Sequence, residues 1–384
     1  MNVSRRLPDN TVNEHEPNQQ ILSMTSAGVK TSFAYDRLID TFENSIIDPK
    51  NAFCLGCDYR VPVLHGLLDK TYINKLKMSP SYNEESFARE YMSLWSGSSD
   101  DSWFSYDKLQ KYRKIKNPET HAINRPGTNS FYLISTDVGR IHDQTVVTVF
   151  RVNILGSGKY VATVVNIIVL GREPATKPFD IQARDLKKII ALFNPREVVI
   201  DTNGLGVGLG DEMIKTQYDE FGNCYPAYGF INDDNYKAVQ PRDAICILYG
   251  LKANGPLKSK IHGNVYARLA SGSVRFLIKE QEAKSALLAT KTGQQMSTEK
   301  RIKRLMPHEM TTKLFEEMAN LRLKKTGVST DIVLEPINTR FPDDKYMSFA
   351  YGLWRIKELE EAAFKKQKRR SGGVRRLIFY SGGA

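Results

Sequence analysis

Phe131-Tyr132-Leu133-Ile134-Ser135-Thr136-Asp137 reads as a strand that ends on an acid, and Val198-Val199-Ile200-Asp201 repeats that ending. A carboxylate at a buried strand end is poorly solvated and repels like-charged neighbours, so clustered acids there imply a bound cation. Working outward, strands are expected at 130–137, 145–152 and 160–170, joined by short turns at His142-Asp143 and Gly156-Ser157-Gly158. Short turns imply antiparallel neighbours. A helix over 183–193 carries Leu186, Ile189, Ile190 and Phe193 at i, i+3, i+4, i+7 spacing and leads into the strand ending at Asp201. A return of helix length makes that strand parallel to its partner.

Three antiparallel strands followed by a helix crossover to a parallel strand is the RNase H-like order. The expected fold is α/β: a mixed sheet flanked by helices, with the first and fourth strands adjacent, so that Asp137 and Asp201 meet. A third acidic element, Asp343-Asp344, opens a helix that runs on through Met347, Ala350, Tyr351 and Trp354. Capping alone explains Asp343, which leaves Asp344 as the favoured ligand; both remain candidates. An all-oxygen set suits Mg²⁺ or Mn²⁺, and two such ions can clamp the attacking and leaving oxygens of a phosphodiester. Helices are expected at 241–251, 257–270, 281–290, 308–324 and 342–366, with a strand at 273–278.

Upstream, Ile21-Leu22-Ser23-Met24 reads as a short strand and Thr25-Ser26-Ala27-Gly28 as its turn. Helices follow from Ser32 and near 69–78 and 84–95. The run from Ser96 to Asp101 breaks the pattern, and 113–129, with Pro118, Pro126 and Gly127, reads as a linker. The expected organisation is a partial α/β segment over 1–120, the sheet domain over 128–365 and a basic, disordered tail over 366–384.

The chain has 384 residues and a formal net charge of +12, with 41% hydrophobic residues, enough for substantial cores. A basic balance of that size suits a polyanion such as double-stranded DNA. Lys252, Lys258, Lys260, His262, Arg268, Lys291, Lys300, Arg301, Lys303 and Arg304 supply much of it after the sheet; adjacent to an acidic metal site they would hold phosphates. No apolar run is long enough to span a membrane, and no secretory h-region follows the N-terminus. Four cysteines make no disulfide framework, and Cys54 and Cys57 lack a second pair for zinc, which together favour the cytoplasm. The glycine run Gly204 to Gly210 mimics a phosphate loop but lacks its Lys, and its expected task is close backbone approach to the site. Gly156-Ser157-Gly158-Lys159 is followed by Tyr160 and a strand, so it is a hairpin turn.

Together these residues resemble the large terminase subunit of tailed bacteriophages. Ser135-Thr136-Asp137-Val138-Gly139-Arg140 is similar to the first motif of its nuclease half. The run from Val199 through Asp201 to Asp211 is similar to the second, and Asp343-Asp344 with the helix after it to the third. Many members carry a further acid four residues after the pair, where this chain has Ser348. Thr25-Ser26-Ala27-Gly28 resembles the turn that couples ATP hydrolysis to movement, yet no Walker A loop precedes it.

The resemblance implies the last portion of a packaging ATPase domain, with Thr25 and Ser26 as coupling residues, followed by a nuclease domain. That domain would cut concatemeric viral double-stranded DNA with Mg²⁺ or Mn²⁺ on Asp137, Asp201, Asp344 and Asp343. Lys252, Lys258, Lys260, Arg301 and Arg304 would bind DNA. The implied partners are DNA, the portal protein, the small terminase subunit and an upstream ATPase half if separately encoded, in the host cytoplasm. Other expectations from the residues are an RNase H-like nuclease of transposase or resolvase type, or a non-catalytic subunit that binds DNA or the portal.

Overall fold

Side chains alternate along a strand, so Leu133, Ser135 and Asp137 share one face of their strand and Ile134 and Thr136 the other. The computed structural model describes residues 7–11, 21–28, 30, 32–78, 84–95, 101–139, 144–170, 178–219, 221–324, 331–339 and 341–372. The chain divides into two units, Met1–Ser96 and Gly97–Ala384.

In the first unit the described residues form four helices: α1 (Phe33–Ile47), α2 (Arg60–Leu64), α3 (Lys70–Lys77) and α4 (Glu84–Glu90). Ser32 and Asp69 cap α1 and α3 through their side chains. Ile73 and Phe87 are buried, Phe87 stacks on Tyr91 at 5.1 Å, and Lys77 lies over the Phe87 ring. No residue of α1 is buried. Ile21–Met24, expected as a strand, is exposed and unpaired by any strand among the described residues. A lone extended segment has no ladder to join, so apolar content alone does not make it a strand.

The second unit opens with α5 (Tyr106–Leu109), a 3₁₀ turn and β1 (Arg113–Ile115). Then come β2 (Ser130–Asp137), β3 (Thr145–Ile154), β4 (Tyr160–Leu170), α6 (Phe179–Phe193), β5 (Glu197–Asp201) and α7 (Gly206–Met213). The small hairpin β6 (Gln217–Tyr218) and β7 (Cys224–Tyr225) precedes β8 (Tyr228–Phe230), α8 (Asp234–Val239), β9 (Ile245–Leu251), α9 (Gly255–Ala270) and β10 (Val274–Leu277). Last are α10 (Glu280–Leu288), α11 (Lys291–Gln295), α12 (Thr298–Ala319), the hairpin β11 (Leu321–Leu323) and β12 (Leu334–Pro336), and α13 (Asp344–Gly372).

Eight strands form one sheet in the order β1-β10-β4-β3-β2-β5-β9-β8. β4, β3 and β2 are antiparallel neighbours, and β2, β5, β9 and β8 run parallel, so the expected RNase H-like order is present at the centre. Asn194 ends α6 in the left-handed conformation at φ 42°, and Pro195 follows, so the chain turns back into β5.

In the second unit three further expectations change. The segment 241–251 is not a helix: it contains the strand β9, beside β5. Pro241-Arg242-Asp243 resembles a helix start, but Ile245, Ile247 and Tyr249 favour a pleated surface once a parallel neighbour exists. Residues 113–129 are not a free linker. β1 pairs with β10, the Ala122 amide donates to the Leu192 carbonyl, and Asn166 Nδ2 donates to the Glu119 carbonyl, so the stretch belongs to the second unit. Helix α12 begins ten residues earlier than the expected 308, with Ser297 as its cap and Pro307 inside it. The expected turn at His142-Asp143, Arg140, and tail residues 373–384 lie outside the described residues; α13 itself runs on to Gly372.

Apolar side chains fill both faces of the sheet. Leu133, Phe150, Val152 and Val199 pack with α9, α12 and α13, while Ile134, Val149, Val198 and Ile200 pack with α6, α7 and α8. Alternation therefore sends Asp137, in phase with Leu133, and Asp201, in phase with Val199, to the α13 face. α13 lies close to the sheet because the facing residues are small. Ser348 Oγ is 2.9 Å from both the Ser135 carbonyl and Thr148 Oγ1. A Cβ on Gly352 would stand 2.3 Å from the Phe150 ring.

Candidate metal centre

Thr136 pairs with Ile200 in the parallel ladder of β2 and β5, so Asp137 and Asp201 are the next residues beyond it on adjacent strands. Both stand at carboxyl ends of parallel strands, where ligand clefts of α/β sheets form. The start of α13 brings Asp343 and Asp344 to the same place. The four acids line one cavity of about 310 Å³ with Val138, Lys258, His262, Leu321, Leu334, Tyr346, Met347 and Tyr351.

Hydrogen bonds fix two of the acids directly and the strand end that carries a third. Beyond Asp137, the Gly139 amide donates to Thr145 Oγ1 at 3.0 Å, which ties the strand end to β3. Asp201 Oδ1 accepts from the Asn203 amide at 2.9 Å and Oδ2 from the Tyr351 hydroxyl at 3.2 Å. Asp344 is buried, and its Oδ2 accepts from the Gln144 amide at 3.3 Å. Asp343 is the exposed member.

Burial, and then the charges of Asp344, Asp201 and Asp343, push the Asp137 carboxyl well above the carboxylate range. Asp201 is also raised, mainly by burial, against the hydrogen bonds from Asn203 and Tyr351. Lys258 opposes both shifts and is the cationic side chain lining the cavity among the described residues. Tyr351 is raised by burial and by Asp201.

The glycines after Asp201 permit close packing. A Cβ on Gly206 would lie 1.6 Å from the Asp201 carbonyl oxygen, and one on Gly208 would lie 2.6 Å from the Phe179 ring. Gly204 has φ +52° and turns the chain into α7.

These residues fit hard divalent cations in donor type and charge. The donors are carboxylate oxygens at one cavity, with an excess of negative charge that burial makes costly. They are not drawn together in advance: among the described residues no three Asp, Glu, His or Cys side chains stand close enough to hold an ion as placed.

The basic residues separate by environment. Lys258 lines the cavity, and Lys260 and Arg304 are exposed. Lys252 is paired with Asp233 at 2.9 Å, and Arg301 donates to the Gln294 carbonyl at 2.9 Å. Two residues expected to hold phosphates do not face solvent. Arg268 is buried, donating to the Tyr160 carbonyl and a carboxylate oxygen of Glu360. His262 is buried against Tyr346, its Nδ1 2.7 Å from the Tyr346 hydroxyl, and burial followed by the Lys258 charge lowers it to about 4. Thr25 and Ser26, in the first unit, are exposed, with Thr25 Oγ1 donating to the Ser26 carbonyl at 2.9 Å.

Motif reading missed several cavity residues. Leu321, Leu334 and Tyr346 line the cavity without any motif pointing to them, whereas Lys258 and His262, one turn apart on α9 and expected near the site as phosphate-holding residues, both reach it. Helix α13 starts at Asp344, which puts Asp343 at the cap position. The two amides a cap side chain would serve, those of Lys345 and Tyr346, donate instead to the buried carboxylate of Glu317, at 2.8 and 3.0 Å. Capping thus does not by itself explain Asp343.

No protein-family profile and no curated protein matches the sequence. Solved structures do resemble the fold. The large terminase nuclease of thermophilic phage G20c, solved with bound magnesium, is 17% identical with a TM-score of 0.39, over 66% of this chain and 97% of that one. The HK97 bacteriophage large terminase is 11% identical with a TM-score of 0.36, over 85% of this chain and 61% of that one. The likeness is to phage large terminases. The G20c nuclease has also been solved with cobalt and with zinc. The strand order and the grouped acids described above stand independently of these likenesses.

Proposed function

We propose that the second unit is a metal-dependent endonuclease that cuts double-stranded DNA, as the nuclease half of a viral packaging terminase. One observation carries the reading: Asp137, Asp201, Asp343 and Asp344, from three separate elements, line one cavity at the carboxyl ends of adjacent parallel strands. The four acids would hold Mg²⁺ or Mn²⁺, two ions in all. Such ions supply Lewis acidity to the attacking and leaving oxygens of a phosphodiester.

The chain's own residues prepare that site. Tyr351 and the Asn203 amide fix the Asp201 carboxylate, and the buried acids repel one another until a cation arrives. Lys258 supplies a positive charge at the same cavity, suited to a non-bridging phosphate oxygen. Lys260 on α9 and Arg304 on α12 add exposed positive charge that would serve the phosphate backbone; Lys252 and Arg301, each with a partner here, would have to exchange it for phosphate. Concatemeric viral DNA, the portal and the small terminase subunit are the partners this reading implies, in host cytoplasm. Thr25 and Ser26 would serve as the residues that couple ATP hydrolysis to movement in such a motor.

The direct test is incubation of the full chain with supercoiled plasmid and Mn²⁺, Mg²⁺ or a chelator. Conversion to linear DNA with Mn²⁺ or Mg²⁺ alone is expected; cleavage that survives chelation, or no cleavage with either ion, overturns the reading. Lys258→Gln should weaken duplex binding measured in Ca²⁺ and lower the salt slope of log K by about 1. Its metal-free melting temperature should fall only slightly at neutral pH, because the exposed side chain packs against little and loses just its charge on the nearby acids. An unaltered salt slope would remove Lys258 from the DNA contact.

A further inference from the structure

Asp343 and Asp344 serve the cavity only while the first turn of α13 keeps its place, and that turn is secured from another helix. The first amides of a helix have no intrahelical acceptor, and an acid or hydroxyl at the cap position usually serves them. Here the acceptor comes from the last turn of α12. Glu317 Oε2 takes the Lys345 and Tyr346 amides, and Oε1 takes Lys345 Nζ at 2.7 Å. Glu317 is 2% exposed and Lys345 4%, so water cannot replace either partner.

We propose that the Glu317–Lys345 pair is a positioning device for Asp343 and Asp344, which takes over capping of α13 so that both carboxylates can serve the cavity. This rests on the metal-dependent reading of that cavity. Without Glu317, two buried amides and an ammonium would lose their acceptor, a cost too large to leave unanswered. The acids nearest those amides along the chain are Asp343 and Asp344, so they would turn toward their own helix and away from the cation.

The test uses the full chain and two double variants. E317L/K345M removes the acceptor without stranding a charge, and E317Q/K345M restores an oxygen for the two amides. Mn²⁺ binding is measured by calorimetry, amide exchange at residues 345 and 346 by NMR, and plasmid cleavage against Mn²⁺ concentration. For folded E317L/K345M, Mn²⁺ affinity should fall about tenfold and the Mn²⁺ needed for half-maximal cleavage should rise by the same factor. Exchange protection at 345 and 346 should fall, duplex affinity in Ca²⁺ should stay unchanged, and excess Mn²⁺ should restore the rate. E317Q/K345M should recover most of the Mn²⁺ affinity.

Wild-type Mn²⁺ affinity in folded E317L/K345M overturns the proposal, as does an E317Q/K345M variant no better than it. Should E317L/K345M fail to fold, E317D, which withdraws the carboxylate by one methylene, decides: a several-fold loss of Mn²⁺ affinity supports the device and wild-type affinity overturns it. A wild-type chain that neither binds Mn²⁺ nor cuts overturns the nuclease reading and this proposal together, whereas failure in the variants alone leaves the nuclease reading intact.

Discussion

Asp137→Asn is expected to reduce Mn²⁺-dependent cleavage by on the order of 10³-fold, about 4 kcal/mol of barrier, and to make the metal-free protein more stable. The two effects have one cause. Burial and the neighbouring acids hold the Asp137 carboxyl above its ordinary 3.8 in the folded protein. A group raised in this way contributes its full stability below 3.8 and loses it as pH rises through the shifted value. At neutral pH the metal-free wild type therefore bears the cost of a buried, crowded carboxylate, and the amide does not. The melting temperature of Asp137→Asn should exceed that of wild type by a few degrees at neutral pH, and the gap should close as pH falls toward 4. Mn²⁺ should stabilise wild type and leave the variant unmoved. A variant less stable than wild type at neutral pH would mean that Asp137 is a structural carboxylate with a favourable partner.

The second large effect is expected from Gly206→Ala. Its Cβ would fall 1.6 Å from the Asp201 carbonyl oxygen and 2.7 Å from the carbonyl carbon, both backbone atoms that no rotamer can move aside. Either α7 shifts or the end of β5 does, at a cost of about 3 kcal/mol. Because Asp201 is the residue displaced, Mn²⁺ affinity should fall in step with stability in chemical denaturation. Gly204→Ala is the control. It meets nothing within 4 Å but has φ +52°, so it should cost about 1 kcal/mol and leave Mn²⁺ affinity alone. Equal stability for Gly206→Ala and wild type would contradict the packing of α7 on the strand end.

The strand ends were legible because their signals are local. Alternation and short turns identify β2, β3 and β4, the apolar stripe of α6 identifies the crossover, and an acid closes β2 and β5 alike. Strand β9 was not legible: Pro241-Arg242-Asp243 imitates a helix start, and a short apolar run carries no period of its own. β1 was hidden for a related reason, since its three residues gain strand character only by pairing with β10, far along the chain. Charge has the same limit. Nothing adjacent to Arg268 or Lys252 in sequence announces Glu360 or Asp233, so a buried structural cation and a surface one read alike. Likewise Asp343 looks like a cap until Glu317, 28 residues before Lys345, is seen to hold the helix amides. The acids themselves were found from local pattern; what holds them in place comes from tertiary contacts.

Anomalous diffraction from crystals soaked in Mn²⁺ will show whether Asp137 and Asp201 hold a divalent cation between them. The expected result is a manganese peak roughly 2.2 Å from carboxylate oxygens of both residues, with Asp344 or Asp343 within reach of that peak or a second one. The same soak of Asp137→Asn should lose the peak. Manganese that binds elsewhere on the chain while this cavity stays empty, in crystals where the four acids are accessible, would rule out a metal site on these two strand ends.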